Sequence, residues 1–368
     1  MKQRNPKSKL LMGPGPSNPD PRVLRALSEP TLGHLDPDYV AIMDETAELL
    51  RYVFSTKNAL TIAVSGTGMA GMETAMVNSL EPGDKAIICT AGAFGDRMAE
   101  VAERVGAKVV KVESPWGEPI DPEDVRKAIR KNPDAKVVGI VHGETSTGVL
   151  QPLDDIAGAV HEAGMRIIVD TVASLGGVDV PTDRLGLDVV YSGSQKCLSC
   201  PPGLAPITLG EKAVSFIENR KTTCRSWYLD LGMIRRYWSF ERFYHHTGPS
   251  NMIYALNEAL RIVKEEGLEA RFARHKAAQE VLIKGLTELG LKPVVNEPYR
   301  LPTLTTVYVP EGVQEGEVRK QLMDEFGIEI AGGLGVFKGK IWRIGLMGTN
   351  ATKANVIRLL GALKEVLK

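Results

Sequence analysis

The sequence has few cysteines, no excess of charge of either sign and no long apolar run. Its 368 residues include only four cysteines, which is too few for a disulfide scaffold in a chain of this size. Lys and Arg together number 45, as do Asp and Glu, and this balance argues against nucleic acid or an anionic membrane as the main partner. No apolar run reaches the ~18 residues of a membrane-spanning helix, and the N-terminal residues lack the apolar core of a signal peptide. We therefore expect a cytoplasmic protein.

Short β-branched segments recur through the first part of the chain, and each is followed by a helical pattern. Apolar strands that alternate with amphipathic helices predict a largely parallel sheet covered on both faces, here one large α/β domain with about seven strands. The predicted strands are ALTIAV (59–64), KAIIC (85–89), AKVVKV (107–112), KVVGIV (136–141), RIIV (166–169), DVVY (188–191) and APITL (205–209).

The pattern changes after residue 250. A long helical stretch from about residue 251 to 290, interrupted near Gly267, precedes strand-like and helical segments that predict a smaller C-terminal α+β domain. We therefore divide the chain into an N-terminal arm (1–17), a large domain (18–250) and a small domain (251–368). The aromatic, Arg-rich segment 225–247 is interpreted as a loop region.

A glycine-rich segment, VSGTGMAGME (64–73), lies between a predicted strand and a predicted helix. Gly66, Gly68 and Gly71 have G-x-G-x-x-G spacing, and the backbone N–H groups at such a helix start suit a phosphate. A dinucleotide site would also require an acid at the tip of the next strand, where CTAG (89–92) has none. A phosphate site of mononucleotide size and a tight turn without a ligand both remain open.

Two charged residues follow other predicted strands, at the edge where open parallel sheets bind ligands. Asp170 could cap the turn that follows it, or it could hold a proton on a heteroaromatic nitrogen. Lys196, in YSGSQKCLSCPPG (191–203), is either a solvated surface cation or a desolvated amine that attacks a carbonyl group. A phosphate loop, an aspartate and a lysine at strand ends together suggest pyridoxal 5'-phosphate (PLP) as the cofactor.

The same segment contains a C-x-x-C pair, Cys197 and Cys200. A zinc site would need two more ligands, and Cys89 and Cys224 lack the matching spacing. The PPG that follows discourages the helix of a thioredoxin-like redox motif. We therefore expect no metal site, and we expect both thiols to pack beside the lysine.

Several motifs in order resemble the class V aminotransferases of PLP fold type I, in the branch of alanine–glyoxylate, serine–pyruvate and serine–glyoxylate aminotransferases. The resemblance covers nearly the whole chain and implies the fold of that family. The motifs are GPGPSNPDPRVL, AVSGTGMAGMETAMVN, HGETSTGVLQPLD, VDTVASLGGVDV, YSGSQKCLSCPPGLAP, YHHTGPS and WRIGLMG.

The resemblance implies a role for each matching residue. Lys196 matches the lysine that forms a Schiff base with PLP, and Asp170 matches the partner of the pyridine nitrogen. Thr67 and Gly68 match the phosphate loop of the family, Gln195 resembles a phosphate contact, and Met69 is a further position of the cofactor site. Several relatives have histidine in place of Met69, so this position contributes no imidazole here.

Further matches concern the cofactor ring and the substrate. Ser146 matches a residue near the ring hydroxyl and the substrate, and Phe94 stands where animal members of the branch have a stacking tryptophan. Arg343 matches the arginine that binds the substrate carboxylate; without that match it could equally be a solvated or salt-bridged strand arginine. Gly33 and His34 lie in a segment that lines the substrate pocket in the family, although a surface-loop histidine is an equally good interpretation.

Tyr244 and Thr247, in YHHT, match residues that reach the phosphate of the neighbouring subunit, so the resemblance implies a homodimer with shared active sites. The implied reaction is a ping-pong transfer of an amino group from alanine or serine to glyoxylate or pyruvate. Alternatives are a ureidoglycine–glyoxylate aminotransferase, a lyase or desulfurase of the same fold, and a non-catalytic PLP-binding protein. The last cysteine, Cys224, precedes the predicted small domain, which weakens the desulfurase alternative. A nicotinamide oxidoreductase would leave Lys196 and Arg343 without a role.

Overall fold

The computed structural model describes residues 6–368, so residues 1–5 of the predicted N-terminal arm lie outside it. The strands are β1 (Leu10–Leu11), β2 (Leu60–Ser65), β3 (Lys85–Thr90), β4 (Lys108–Glu113), β5 (Val137–Val141), β6 (Gly143–Glu144), β7 (Val149–Leu150), β8 (Arg166–Asp170), β9 (Val189–Tyr191), β10 (Leu204–Leu209), β11 (Leu304–Tyr308), β12 (Ile328–Glu329), β13 (Ala331–Gly332) and β14 (Ile341–Gly345). The helices are α1 (Pro21–Leu27), α2 (Pro37–Val53), α3 (Gly68–Ser79), α4 (Ala93–Val105), α5 (Pro122–Lys131), α6 (Asp154–Glu162), α7 (Glu211–Glu218), α8 (Leu231–Trp238), α9 (Ser250–Glu266), α10 (Leu268–Glu288), α11 (Glu315–Glu325) and α12 (Lys353–Val366).

Seven strands form the main sheet, in the order β2-β10-β9-β8-β5-β3-β4. Strand β10 runs antiparallel to its neighbours β2 and β9, and the other pairs in the sheet are parallel. The seven predicted strands are therefore confirmed, each within one residue of its predicted bounds. The predicted α/β class with a mainly parallel sheet is confirmed as well.

Burial on both faces explains why these strands are continuously apolar. Successive residues of a strand point to opposite faces of the sheet. On β5 and β8, Val138 and Ile167 belong to one apolar cluster, whereas their neighbours Val137 and Ile168 belong to a second cluster on the other face. A strand that lies between two such clusters has no solvent-facing side, so its sequence shows no polar alternation.

A second, antiparallel sheet, in the order β11-β14-β13, lies in the C-terminal part of the chain. Its strands share an apolar cluster with α10, α11 and α12, and Trp342 is fully buried there. Met12 of the N-terminal arm joins this cluster, and the adjacent strand β1 pairs in parallel with β12. Helix α9 packs on α1 and α2 instead. The domain boundaries at residues 17 and 250 stay a prediction.

One sequence-based expectation is wrong: the segment 225–247 is not a loop throughout, because residues 231–238 form α8. The Asp230 side chain accepts a hydrogen bond from Gly232 N at 2.8 Å and caps the helix start. Leu231, Ile234 and Tyr237, at helical spacing, are buried. The aromatic and arginine content obscured this apolar face. Of the helices between residues 6 and 368, none combines the length and apolar character needed to cross a lipid bilayer.

Candidate active site

The C-terminal ends of the parallel strands meet at one edge of the main sheet. Asp170, the last residue of β8, pairs with Val141 of β5 on one side and with Tyr191 of β9 on the other. The glycine-rich segment follows β2 at the same edge, and Lys196 follows Tyr191 by five residues. The topology therefore gathers three of the predicted functional segments at the edge where open α/β sheets bind ligands.

Asp170 is a buried carboxylate whose two oxygens are both engaged. Only 2% of the residue is exposed. Oδ1 accepts a hydrogen bond from Val172 N at 2.8 Å, and Oδ2 accepts one from the Tyr191 hydroxyl at 2.8 Å. Burial raises the pKa of Asp170 to about 6, and the two hydrogen bonds oppose that rise. Asp170 thus caps the following turn and also remains a carboxylate able to attract a proton. Tyr191 was missed by the sequence analysis, which treated it only as the end of a strand.

Lys196 is also buried, so the surface-cation alternative does not describe it. Only 9% of the residue is exposed, and its Nζ donates to the carbonyl of Pro14. Burial lowers the pKa of the Lys196 amine to about 8; the charge of Arg343 acts in the same direction, while Cys197 and Asp170 oppose it. A substantial fraction of the amine is therefore neutral, and nucleophilic, near pH 8.

The N-terminal arm packs directly on this lysine, a contact that the sequence analysis did not predict. Ser17 Oγ donates to Lys196 O at 2.6 Å, and Ser17 N donates to Gln195 O at 2.9 Å. Gly15 adopts φ +102°, and a Cβ atom there would lie 2.5 Å from Lys196 Cδ. The GPGPS motif was the available signal, because glycine is required where the backbone approaches another group this closely.

The start of α3 offers polar groups that have no hydrogen-bond partner in the described part of the chain. Thr67 is the residue before the first helical turn, and its side chain makes no capping hydrogen bond. Gln195 Oε1 is buried without a hydrogen-bond partner among residues 6–368, and a Cβ atom on Gly193 would lie 2.7 Å from it. Free N–H groups and an unsatisfied amide beside a helix N-terminus are a suitable environment for a phosphate. Gly68 is buried and Met69 half-buried in the first turn of the same helix.

A buried carboxylate, Glu144, organises the start of α4, where Phe94 lies. Glu144 Oε2 accepts from Phe94 N at 3.2 Å and from Gly95 N at 3.3 Å. Ser146 Oγ accepts from Ala93 N at 2.9 Å and donates to Glu144 Oε1 at 2.6 Å. The first-turn N–H groups of α4 are thus satisfied by two side chains of the HGETSTG segment. Glu144 was not singled out from the sequence, although an acid in a conspicuous motif after a strand was a usable signal.

This capping arrangement gives a stability prediction. Ser146→Ala removes the acceptor of Ala93 N–H, and we expect the free energy of unfolding to fall by about 1–2 kcal/mol in urea denaturation. Thr147→Val is the matched control, since the buried Thr147 Oγ1 makes no hydrogen bond to any residue in the described part of the chain. We expect no measurable change in the free energy of unfolding of the control. Equal losses in the two variants would contradict the capping role of Ser146.

Arg343 is a buried cation in β14 without a carboxylate partner in the described range 6–368. Only 7% of the residue is exposed. Nε donates to Gly332 O at 2.7 Å and Nη1 to Thr145 O at 3.3 Å, both of which are backbone carbonyls. Burial lowers the pKa of Arg343 to about 10, although the charge of Glu144 opposes that shift. The alternative of a solvated or salt-bridged strand arginine therefore does not describe it, and its position next to Thr145 places it beside the Ser146 segment.

The remaining predicted residues are Gly33, His34, Tyr244 and Thr247, and all but the half-buried His34 are exposed. The rings of His34 and Tyr244 lie 4.8 Å apart, and Tyr244 Oη lies 3.4 Å from Thr247 Oγ1. Tyr244 is 54% exposed, and Gly33 and Thr247 are exposed as well. The described structure gives none of the four a hydrogen bond to Lys196 or Asp170.

Three of the four cysteines are buried, and Cys224 is half-buried. All four are free thiols, and both members of the C-x-x-C pair are buried. Burial raises the pKa of Cys197 to about 11 and that of Cys200 to about 12, so neither thiol forms a reactive thiolate at neutral pH.

Comparison with known proteins identifies the family. The profile of the family described as Aminotransferase class-V matches residues 13–359. The chain is 45% identical to alanine–glyoxylate aminotransferase of Rattus norvegicus over 364 residues, which cover 98% of this chain and 88% of that one. It is 42% identical to (S)-ureidoglycine–glyoxylate transaminase of Bacillus subtilis over 377 residues, covering 98% and 90%.

A solved structure shares the fold over the full length. The alanine–glyoxylate aminotransferase of Nostoc sp. matches with a TM-score of 0.98 and 46% identity, covering 100% of this chain and 97% of that one. The predicted PLP fold type I is therefore confirmed. The chain belongs to the class V aminotransferases, enzymes that transfer amino groups with pyridoxal 5'-phosphate as the cofactor.

Proposed function

We propose that this aminotransferase moves an amino group from alanine or serine to glyoxylate or pyruvate by a ping-pong mechanism. The observation that carries the proposal is Arg343, a buried guanidinium whose hydrogen bonds within residues 6–368 go only to backbone carbonyls. A buried cation of this kind needs an anion, and the α-carboxylate of a small amino acid or 2-oxo acid supplies one in bidentate geometry. The names of the relatives in rat and Nostoc support alanine and glyoxylate as a substrate pair.

The residues at the sheet edge fit PLP. The start of α3, with Thr67 and Gly68 and the unsatisfied amide of Gln195, would hold the phosphate. A 180° rotation of that amide would direct its NH2 group at an anion. Asp170 would pair with the ring nitrogen, and Phe94 would present a face to the ring. When bound, PLP supplies an aldehyde that takes up the amino group and a ring that withdraws electrons from Cα.

Lys196 has two tasks in this proposal. Its neutral amine would hold the cofactor covalently. When free, the same amine would act as the general base that removes the Cα proton of the amino acid. The lowered pKa of Lys196 supports both tasks. Asp170, held by Tyr191 and Val172 N, would keep a proton at the ring nitrogen of the bound cofactor, which would favour loss of the Cα proton.

The pH dependence of cofactor attachment tests the state of Lys196. Only the neutral amine attacks an aldehyde, so the attachment rate of PLP to the cofactor-free enzyme should rise with pH and level off above about pH 8. An ordinary lysine would keep gaining rate to about pH 10.4. Stopped-flow absorbance across this range measures the midpoint. A rate still rising tenfold per pH unit above pH 9 would contradict the prediction, because the amine would then have the pKa of a solvated lysine.

We also propose a homodimer in which Tyr244 and Thr247 of one subunit reach the cofactor phosphate of the other. Their exposure within one chain supports this. So does a set of exposed apolar side chains in segments 33–35 and 225–247, namely Leu35, Trp227, Tyr228, Phe240, Phe243 and Tyr244. Gly33 and His34, next to Tyr244, would then line the partner's substrate pocket.

Sedimentation gives the test of the dimer. We expect twice the 40.0 kDa chain mass for the wild-type protein. Phe240→Glu places a charge in the proposed interface, so it should shift the protein towards monomer and weaken PLP binding together. Ile357→Glu, on the exposed face of α12, is the control and should remain dimeric. A monomeric wild-type enzyme with full activity would refute the proposal that two subunits share each active site.

A second candidate function is amino transfer between ureidoglycine and glyoxylate, which the Bacillus subtilis relative favours. The deciding experiment is a single-turnover assay of the PLP-loaded enzyme with one amino donor at a time and no acceptor. A true donor releases one equivalent of its 2-oxo acid per site, as a ping-pong mechanism requires. Pyruvate from alanine or hydroxypyruvate from serine supports the first proposal. Release only with ureidoglycine supports the second, and no release with any donor refutes both.

We propose a cytoplasmic location. Cys89, Cys197, Cys200 and Cys224 are all free thiols, as is usual in the reducing cytosol. Recovery of the native protein from a membrane-enclosed compartment after cell fractionation would contradict this proposal.

A further inference from the structure

Arg271, on helix α10, is a buried arginine that the proposed mechanism does not use. Only 1% of the residue is exposed. Its three nitrogens all donate: Nη1 to Glu266 Oε2 at 2.6 Å, Nε to Gly176 O at 2.8 Å and Nη2 to Cys197 O at 2.6 Å. The ion pair with Glu266 balances its charge but occupies one nitrogen only. The other two nitrogens bind backbone carbonyls, and the position of these carbonyls needs an explanation.

The two carbonyls belong to the loops that follow neighbouring strands of the main sheet. Cys197 directly follows Lys196, in the loop after β9. Gly176 lies in the loop after β8, whose last residue is Asp170. A single guanidinium therefore bridges the segment that carries the lysine and the segment that follows the aspartate. Because the donors of arginine lie in one rigid plane, both loops are fixed relative to one another.

The loop after β9 that carries Lys196, Cys197 and Ser199, called the lysine turn below, is held by contacts from other segments of the chain. Ser199 adopts φ +53°, a left-handed conformation that costs free energy for a residue other than glycine. Ser199 Oγ accepts from Thr349 N at 2.9 Å, and Ser17 holds the carbonyl of Lys196. Thr349 and Ser17 both lie outside the turn. Arg271 also lies outside it, and its hydrogen bond to Cys197 O comes from a buried cation.

We propose that Arg271 is a positioning residue that holds the Lys196 turn against the loop following Asp170, and so keeps the lysine amine in its buried place. The inference rests on the proposed role of Lys196 as the covalent and proton-transferring residue. Lysine at position 271 could replace the charge but not the rigid plane of donors. The turn would then loosen and the Lys196 amine would become more hydrated.

Helix α10 provides a matched control in Arg274. This arginine also pairs with Glu266, through Nε at 2.6 Å and Nη2 at 2.9 Å. Its third nitrogen donates to Gly348 O at 2.9 Å and Ala351 O at 2.8 Å, in the segment that follows β14, rather than to the lysine turn. Arg271→Lys and Arg274→Lys therefore make the same chemical change around the same carboxylate. Only the first removes a direct hydrogen bond to the turn, since Arg274 reaches it only through the segment that carries Thr349.

The experiment compares both variants in two measurements. The first is the pH midpoint for attachment of PLP to the cofactor-free, full-length enzyme, expected near 8 in the wild type. Arg271→Lys should raise this midpoint by about one pH unit, since a loosened, hydrated amine has a pKa nearer that of free lysine. The second is steady-state turnover, in which kcat should fall about tenfold while KM for the donor changes less than about threefold. Arg274→Lys should leave the midpoint within about 0.2 units, whatever its effect on the melting temperature.

The possible outcomes distinguish failure of the Arg271 proposal from misfolding of the variant and from failure of the Lys196 proposal. An unchanged midpoint and kcat in Arg271→Lys, or equal shifts in both variants, would overturn the proposal. If Arg271→Lys does not fold, Arg271→Met removes the cation while Arg274 still pairs with Glu266, and the same upward shift of the midpoint is expected. If the Lys196→Ala variant binds PLP as the wild type does, the proposed role of Lys196 is refuted instead. The failure of the two proposals can thus be told apart.

Discussion

Replacement of Lys196 by alanine is expected to abolish turnover, with kcat falling by about 10⁴-fold or more, because the covalent attachment and the general base are lost together. The visible absorbance of lysine-bound PLP should also disappear. Small primary amines added at millimolar concentration should restore part of the proton transfer, since they can occupy the space of the missing side chain. The measurement is steady-state kinetics with and without added amine, together with an absorbance spectrum.

Lys212→Ala is the control for this experiment. Lys212 is exposed and its Nζ donates to Met165 O at 2.8 Å, at the opposite edge of the sheet from Asp170. Its loss removes the same charge without touching the site, so activity should stay within about twofold. A Lys196→Ala enzyme that kept the rate of the Lys212→Ala enzyme would refute the assignment of the lysine.

Replacement of Arg343 by glutamine should raise KM for both amino acid and 2-oxo acid and lower kcat/KM by about 10²–10³-fold, corresponding to about 3–4 kcal/mol for a buried charge-assisted pair. The reason is that Arg343 has no protein carboxylate to compensate within residues 6–368, so the substrate carboxylate is its proposed counterion. Arg319→Gln is the charge-matched control. Arg319 is already paired with Glu315 at 2.6 Å, and its loss should alter kcat/KM by less than about threefold.

A substrate lacking the carboxylate sharpens the Arg343 experiment. A simple primary amine offers nothing for the guanidinium to bind, so wild-type and Arg343→Gln enzymes should process it at similar, low rates. If the variant loses as much activity with the amine as with alanine, Arg343 does not bind the substrate carboxylate. In that case its effect would be on the architecture of β14.

Local patterns in the sequence were sufficient to predict the main sheet. Each strand is a short β-branched segment buried on both faces, and a segment of this length and composition strongly favours a buried strand. Helix α8 was missed because its apolar residues are interspersed with arginine and aromatic side chains, and tertiary contacts determine whether such a segment is helical. Asp170 and Lys196 were identifiable because they stand directly after strands.

The residues that the sequence analysis missed act through contacts between distant segments. Glu144 meets the start of α4 across about fifty residues, and Ser17 meets Lys196 across 179. Tyr191 reaches Asp170 only because β8 and β9 are adjacent in the sheet. No periodicity encodes such pairings in a single sequence. The group around Tyr244 could be interpreted only through resemblance, since it makes no hydrogen bond to Lys196 or Asp170 among the described residues.

The pairing of β1 with β12 has a consequence for the order in which segments fold during synthesis. Leu10 lies beside Ile328, so β1 cannot take its place until the chain has been translated as far as β12. Pro14 and Ser17, which contact Lys196 from the same arm, are held back with it. The lysine turn is thus enclosed last, although its own sheet can form early. Completion of the catalytic centre therefore requires that synthesis has passed residue 328.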